Sequence, residues 1–313
     1  MAGKDILSPS DTRFTKYRKQ WDENPRLLTP GWFPLHIDIE STSVCNLKCT
    51  FCKTIVSRKK TENGFMSWET LTKILDESGE NGLYACKFNF RGEPLLHKDI
   101  GKFIEYAKFK GVVDVFFNTN ATLLTEDKSR MLITSGLDRL TISFEGYEKD
   151  MYEKSRIGAI YEDVVANVER LRNIREQSNS PTPKIRLQAV LIPQLKDYMS
   201  EFVDFWKDKV DQVSYNDMFE DVAEQHQSLQ STWICPFPYQ RMTILWDGTM
   251  VPCPQDYYGE VNLGNIHTTT IQQTWTVSLG TLRKKHVAGY SHDINICAKC
   301  PIRALSFKQS GNL

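Results

Sequence analysis

From Leu35 onward, short apolar runs alternate six times with amphipathic stretches, and this rhythm constrains the chain more than any other feature. The runs expected to be strands are Leu35–Ile39, Lys87–Phe90, Val113–Phe117, Arg139–Ser143, Ile185–Leu191 and Gln212–Tyr215. Between them the apolar residues follow helical spacing. Ser67 can cap a helix with Glu69 in its first turn and Trp68, Leu71 and Leu75 on one face. Ile100, Phe103, Ile104 and Ala107 form a second stripe, and Val164, Val165, Val168 and Leu171 a third. Another helix runs through Met131, and one more carries Met199, Phe202, Val203 and Trp206. Repeated strand–helix units imply a parallel sheet, and right-handed crossovers curl it into a barrel or part-barrel with its chemistry at the strands' C-terminal ends.

Charge excludes some partners. Lys plus Arg and Asp plus Glu both number 39, so no net field draws the chain to nucleic acid or an anionic membrane. No stretch reaches the roughly 18 apolar residues that span a bilayer, so the chain is expected to be soluble and cytoplasmic. Residues 1–34, broken by Pro25, Pro30 and Pro34, read as a polar arm packed outside the core. The basic run Ser57, Arg58, Lys59 and Lys60 reads as a solvated loop.

In a reducing compartment eight cysteines point to metal ligation rather than disulfides. Three fall as Cys45-x3-Cys49-x2-Cys52 directly after the first strand, with no fourth cysteine in the loop. Three thiolates hold three irons of a 4Fe–4S cube and leave one iron open to a small chelating molecule. The bland alternatives are a zinc knuckle or unpaired buried cysteines, although the first gap departs from common zinc spacings. Four more follow as Cys235-x17-Cys253-x43-Cys297-x2-Cys300, with a hairpin expected over Met242–Trp246 and Met250–Pro252 about the turn Asp247-Gly248. Four thiolates suit either a fully ligated cluster or a structural zinc. Cys86, at the beginning of the second strand beside Phe88 and Phe90, reads as a small core residue.

With Phe51, the front cysteines make the pattern CxxxCxΦC, which resembles the signature of the radical S-adenosylmethionine superfamily. The resemblance implies an α/β fold: a partial (β/α)6 barrel over residues 35–225, after the arm of residues 1–34. A small twitch-like or SPASM-like iron–sulfur domain over residues 226–313 completes the chain. It implies two 4Fe–4S clusters per chain, held by Cys45, Cys49 and Cys52 and by Cys235, Cys253, Cys297 and Cys300, together with S-adenosylmethionine. Arg91-Gly92-Glu93-Pro94 resembles the family's Gly-Gly-Glu motif, in which backbone and carboxylate receive the cofactor ammonium. Arg91 replaces the first glycine and could instead reach the substrate space. Ser143 and Arg156 match residues that bind the cofactor carboxylate, a task suited to a bidentate guanidinium. Asn118, Asn120 and Gln188 are candidates for the ribose, or for satisfying turns and strand polar groups, and Phe51 for the adenine.

The cysteine spacing of the C-terminal part most resembles the 2-deoxy-scyllo-inosamine dehydrogenase branch of the superfamily. That implies oxidation of a secondary alcohol on a sugar or aminocyclitol, with an external low-potential electron donor. Radical epimerisation, peptide modification, a non-catalytic electron carrier and a zinc-binding interaction protein remain alternatives. Epimerisation commonly needs a thiol donor, and Cys86 lies at the wrong end of its strand. Residues 1–34 are expected to be too short for a leader-peptide-binding domain. Tyr215, Asp217 and Asp256 are candidates for handling the substrate proton or hydrogen atom, with Asn216 and Gln255 beside them.

Overall fold

The computed structural model describes residues 11–55, 62–217 and 233–309; the basic run Ser57, Arg58, Lys59 and Lys60 and the expected domain boundary at residue 225 fall outside them. Six strands, β1 (His36–Ile39), β2 (Ala85–Lys87), β3 (Asp114–Thr119), β4 (Arg139–Ser143), β5 (Lys184–Leu191) and β6 (Gln212–Asp217), pair in parallel in the order 6-5-4-3-2-1. Neighbours in sequence are neighbours in space, as the alternation requires. Helix α1 (Thr12–Leu27) precedes the sheet, and α2 (Trp68–Glu80), α3 (Ile100–Phe109), α4 (Glu126–Thr134), α5 (Lys149–Ser155), α6 (Tyr161–Gln177) and α7 (Met199–Trp206) fall between or after the strands. Ser67 caps α2 as expected, its hydroxyl accepting from the Thr70 amide at 3.0 Å.

Strand periodicity divides the side chains between two environments. Ile37, Cys86, Val115, Phe117, Leu140, Ile142, Ile185, Leu187 and Ala189 are fully buried in the apolar core shared with the helices. The alternate residues are mostly polar, Phe116 and Val190 being the exceptions. The ladder places Asp38 beside Lys87, Lys87 beside Phe116, Asn118 beside Thr141, Thr141 beside Arg186 and Ser143 beside Gln188. Along β5 this face is half-buried at every position while the opposite face is buried at every position. The helix side is therefore dry, and the lumen side is reachable by water.

Two expectations need correction. The second strand is Ala85–Lys87 rather than Lys87–Phe90. The apolar run was placed too late because Phe88 and Phe90 look strand-like, but the ladder ends where Phe88 donates to Phe116 and Asn89 turns its carbonyl to the Asn118 amide. The polar arm contains a regular helix. Asp11 caps α1 by accepting from the Arg13 and Phe14 amides, and Phe14 and Tyr17 pack with Leu35 and Ala85 at the barrel's lower end.

The expected hairpin is present as β7 (Arg241–Ile244) and β8 (Thr249–Val251), with Gly248 at φ 86° in the turn. It does not form a separate sheet. β7 pairs in parallel with β1, and β8 pairs with β9 (Gly264–Asn265), so nine strands make one sheet. The C-terminal part is thus anchored to the barrel by backbone hydrogen bonds.

Ile142→Ala removes a side chain that is fully buried, so it should lower unfolding stability by about 2–5 kcal/mol. Phe109→Ala, at a position 78% exposed, should change it by less than about 0.5 kcal/mol. Urea midpoints of the two variants check the pair.

Candidate functional site

The loop after β1 carries Cys45, Cys49 and Cys52, and main-chain bonds fix its course. Glu93 donates its amide to the Val44 carbonyl at 2.8 Å, Lys48 to Ile157 at 3.0 Å and Thr50 to Ser155 at 3.0 Å. Gly92 makes this packing possible. A Cβ there would lie 2.3 Å from the Thr42 carbonyl oxygen and 2.6 Å from that of Val44, so the close backbone approach falls on the second residue of the motif, which is a glycine.

Each of the three sulfurs has one polar neighbour of its own. Asn120 Nδ2 lies 4.0 Å from Cys45 Sγ, Arg156 Nη1 3.7 Å from Cys49 Sγ, and Thr54 Oγ1 3.0 Å from Cys52 Sγ. Such contacts suit sulfurs carrying thiolate charge. Burial pushes the Cys49 thiol up to about 11 against the opposing pull of Arg156. In the free chain it is therefore protonated, and a bound metal would displace the proton.

Glu93 is buried beside this loop. One carboxylate oxygen accepts from Leu95 N at 3.1 Å and Thr119 Oγ1 at 2.6 Å, the other from Asn120 N at 2.8 Å. Burial nonetheless raises its pKa. A carboxylate has about four acceptor sites, so room remains for one further donor, and a cation there would favour the charged form.

Arg156 is also buried, and its Nε donates to Glu145 at 2.5 Å. Burial works against its charge, but Glu145, Cys49 and Tyr152 together outweigh that and raise its pKa further. Glu145 in turn accepts from the Val190 amide at 3.1 Å. Arg156 thus spans from the cysteine loop to β5, with its guanidinium carbon 5.5 Å from the Phe51 ring centre. Phe51 lines a cavity of about 600 Å³ together with Thr50, Met151, Ser155, Ile192 and Pro193. Ser143 and Gln188 are adjacent in the ladder at the same end of the barrel.

Other expected residues take different roles. Arg91 does not project into the substrate space. Its fork grips Glu40 at 2.6 and 2.7 Å and its Nη1 reaches the Tyr257 carbonyl at 3.3 Å, tying β1 to the C-terminal part. Asn120 is committed locally: its amide nitrogen donates to Asn46 at 3.0 Å and its oxygen accepts from Thr122. Asn118 stays on the lumen side beside Thr141. Tyr215 pairs with Ala189, which places it on the helix side of the sheet, 47% exposed; its strand phase turns it away from the lumen. Asp217 pairs with Leu191 in the backbone ladder, and its side chain lies outside the described residues. Asp256 is buried with its oxygens accepting from the Glu260 and Val261 amides at 2.8 and 2.9 Å, which makes it a loop anchor rather than a general base.

Cys235, Cys253, Cys297 and Cys300 line one small cavity, and burial raises all four thiols. The cavity also meets His286, on helix α8 (Leu279–Val287), whose Nε2 is 3.6 Å from Cys297 Sγ, and Arg303, on α9 (Pro301–Gln309). Sequence reasoning missed Glu145, Thr54 and His286. Only Glu145 left a trace, as the first carboxylate after Ser143 in the Ser143-Phe144-Glu145-Gly146 run.

Gly92→Ala should displace the cysteine loop and reduce the iron retained by the front cysteines after anaerobic reconstitution, because backbone oxygens cannot move aside as a flexible side chain can. Gly280→Ala, where an added Cβ meets nothing within 4 Å, should leave iron content unchanged. Iron per chain distinguishes the two.

Comparison with known proteins agrees with this geometry. The sequence model of the radical SAM superfamily matches residues 39–182, and that of an iron–sulfur cluster-binding domain, SPASM, matches residues 235–301. The GTP 3',8-cyclase of Clostridium botulinum strain Hall is 31% identical over 174 residues, covering 54% of this chain and 51% of the relative. A probable GTP 3',8-cyclase of Methanococcus maripaludis strain C5 is 33% identical over 129 residues, covering 41% and 42%. The chain therefore spans about half or less of the length of these curated relatives. Among solved structures, BtrN in complex with AdoMet and 2-DOIA superposes with a TM-score of 0.56 at 20% identity, covering 84% of this chain and 91% of that one. Streptococcus suis SuiB bound to precursor peptide SuiA superposes with a TM-score of 0.63 at 16% identity, covering 97% and 78%. These likenesses establish the fold. The two domains together imply 4Fe–4S clusters and S-adenosylmethionine as cofactors. A radical SAM domain over residues 39–182 is thus followed by a SPASM iron–sulfur domain over residues 235–301.

Proposed function

We propose that this chain is a radical S-adenosylmethionine oxidoreductase that oxidises a secondary alcohol of a sugar or aminocyclitol. When bound, the cofactors supply a 5'-deoxyadenosyl radical for hydrogen abstraction and an acceptor for the second electron. Cys45, Cys49 and Cys52 would hold the front cluster, and Cys235, Cys253, Cys297 and Cys300 the rear one. Among the described residues no three His, Cys, Asp or Glu side chains converge on one ion.

The remaining acceptor site of Glu93 would receive the cofactor ammonium, and Arg156, held by Glu145, would meet its carboxylate with Ser143 beside it. The cavity at Phe51, Ile192 and Pro193 offers an apolar slot for the adenine. Asn118 and Gln188 line the way to the ribose. Asn120 would keep the Cys45 side of the loop in place.

Oxidation is favoured over epimerisation by the position of Cys86. It pairs with Ile37 and Val115 on the dry side of the sheet and is fully buried, so it cannot return a hydrogen atom to a radical in the lumen. The other seven cysteines are those assigned above to the two clusters. This disposition of the thiols carries the proposal.

Anaerobically reconstituted protein should bind about eight irons per chain and convert S-adenosylmethionine to 5'-deoxyadenosine under a low-potential reductant. Alanine at Cys45, Cys49 and Cys52 should abolish cleavage, and Arg156→Ala should weaken cofactor binding by about tenfold or more. Product mass then separates the reactions. Loss of two hydrogens supports alcohol oxidation, whereas unchanged mass with solvent deuterium incorporated means epimerisation and overturns it.

A further inference from the structure

The lumen below the cofactor site is charged, and its ion pairs follow a pattern. Each carboxylate on the lumen side of the first three strands and their upper ends is gripped by a guanidinium. Asp38 bonds Arg241 with a 2.8 Å contact to Nε, Glu40 is held by Arg91, and Asp114 receives Arg139 Nε at 2.8 Å. Those pairs satisfy one another and leave none of these three carboxylates for a further cation.

Lys87 is that further cation. It projects from β2 on the same side as Asp38 and Phe116, between them in the ladder, and it is half-buried. Among the described residues its ammonium makes no hydrogen bond and no ion pair; the nearest carboxylate by register, Asp38, has both oxygens on Arg241. Across the lumen, Arg186 Nε donates to the neutral Gln212 amide at 2.7 Å. Burial lowers the Lys87 pKa, Asp38 opposes that, and Arg241 and Arg139 add to it. Holding an unneutralised ammonium inside a protein is costly, and the cost is removed when an anion binds.

We infer that the lumen is a receptor for an anionic group of the substrate, a phosphate or a carboxylate, with Lys87 as its contact. The inference rests on the radical-enzyme reading and sharpens its substrate class. Lys87 closes β2 and Glu93 follows in the loop after it, so the anion would lie deeper in the barrel than the cofactor ammonium. A phosphorylated or carboxylated sugar meets this requirement. A cationic aminocyclitol would be repelled.

The test uses reconstituted full-length protein with S-adenosylmethionine present, and two probes, inorganic pyrophosphate and malonate. Lysine acetylation by a succinimidyl ester is followed by mass spectrometry at constant ionic strength. One probe should slow modification of Lys87 by about tenfold or more, the protection expected of a charge-assisted contact, and the arm that succeeds tells phosphate from carboxylate. By calorimetry Lys87→Met should weaken binding of that probe by a similar factor, and Lys87→Arg should restore most of it. Protection by neither anion, or equal binding to wild type and Lys87→Met, overturns the inference; should Lys87→Met not fold, the wild-type labelling decides alone. Formation of 5'-deoxyadenosine by the same preparation separates the two readings. Its absence removes the radical reading, and its presence without protection removes only the anion site.

Discussion

The two-residue period of the parallel strands is the constraint on which the rest depends. It sends Ile37, Val115, Phe117, Leu140, Ile142 and Leu187 to the helices and leaves Asp38, Lys87, Arg139, Arg186 and Gln188 around a lumen. A slip of one residue would exchange the two sets. Dozens of apolar contacts on one side thus enforce a charged interior on the other, and the charges that result are held as close pairs: Asp38 with Arg241, Glu40 with Arg91, Asp114 with Arg139. Breaking one partner of such a pair would strand the other.

These pairs also connect function to architecture. Arg91 joins Glu40 at the end of β1 to the Tyr257 carbonyl near the rear cysteines, and Arg241 joins β7 to β1. The front cysteine loop is fixed between them by Gly92, whose missing side chain allows the chain to touch the Thr42 and Val44 carbonyls. Arg156 reaches from Cys49 to Glu145 and is buried throughout. Cysteine loop, Arg156–Glu145 pair and fifth strand are therefore one electrostatic unit. Such rigidity is what a site handling radicals requires, since a loose geometry admits water and side reactions.

Much of this was legible in the sequence, because the signals were local. Helical stripes, the Ser67 cap, the Asp247-Gly248 turn and the cysteine spacings each depend on residues close together in the chain. What failed was long-range. Tyr215 lies on the sixth strand, which runs two residues further than expected to Asp217, and its face is set by its partner Ala189. Asp256 and Asn120 are polar residues in the right loops, yet their hydrogen bonds go to neighbouring amides. Arg91 looked available because Glu40, its partner, lies fifty-one residues away. Lys87 could have been found from alternation alone, since it follows the buried Cys86 in the strand and so takes the opposite face.

The central claim is that three cysteines leave one iron open for S-adenosylmethionine. Its most direct test is electron–nuclear double resonance on the reduced front cluster, in protein whose rear cysteines are replaced, with the cofactor labelled at its amino nitrogen and carboxylate oxygen. The account predicts coupling of both labels to a single iron. A reduced cluster with neither coupling, or one ligated by four protein side chains, contradicts it.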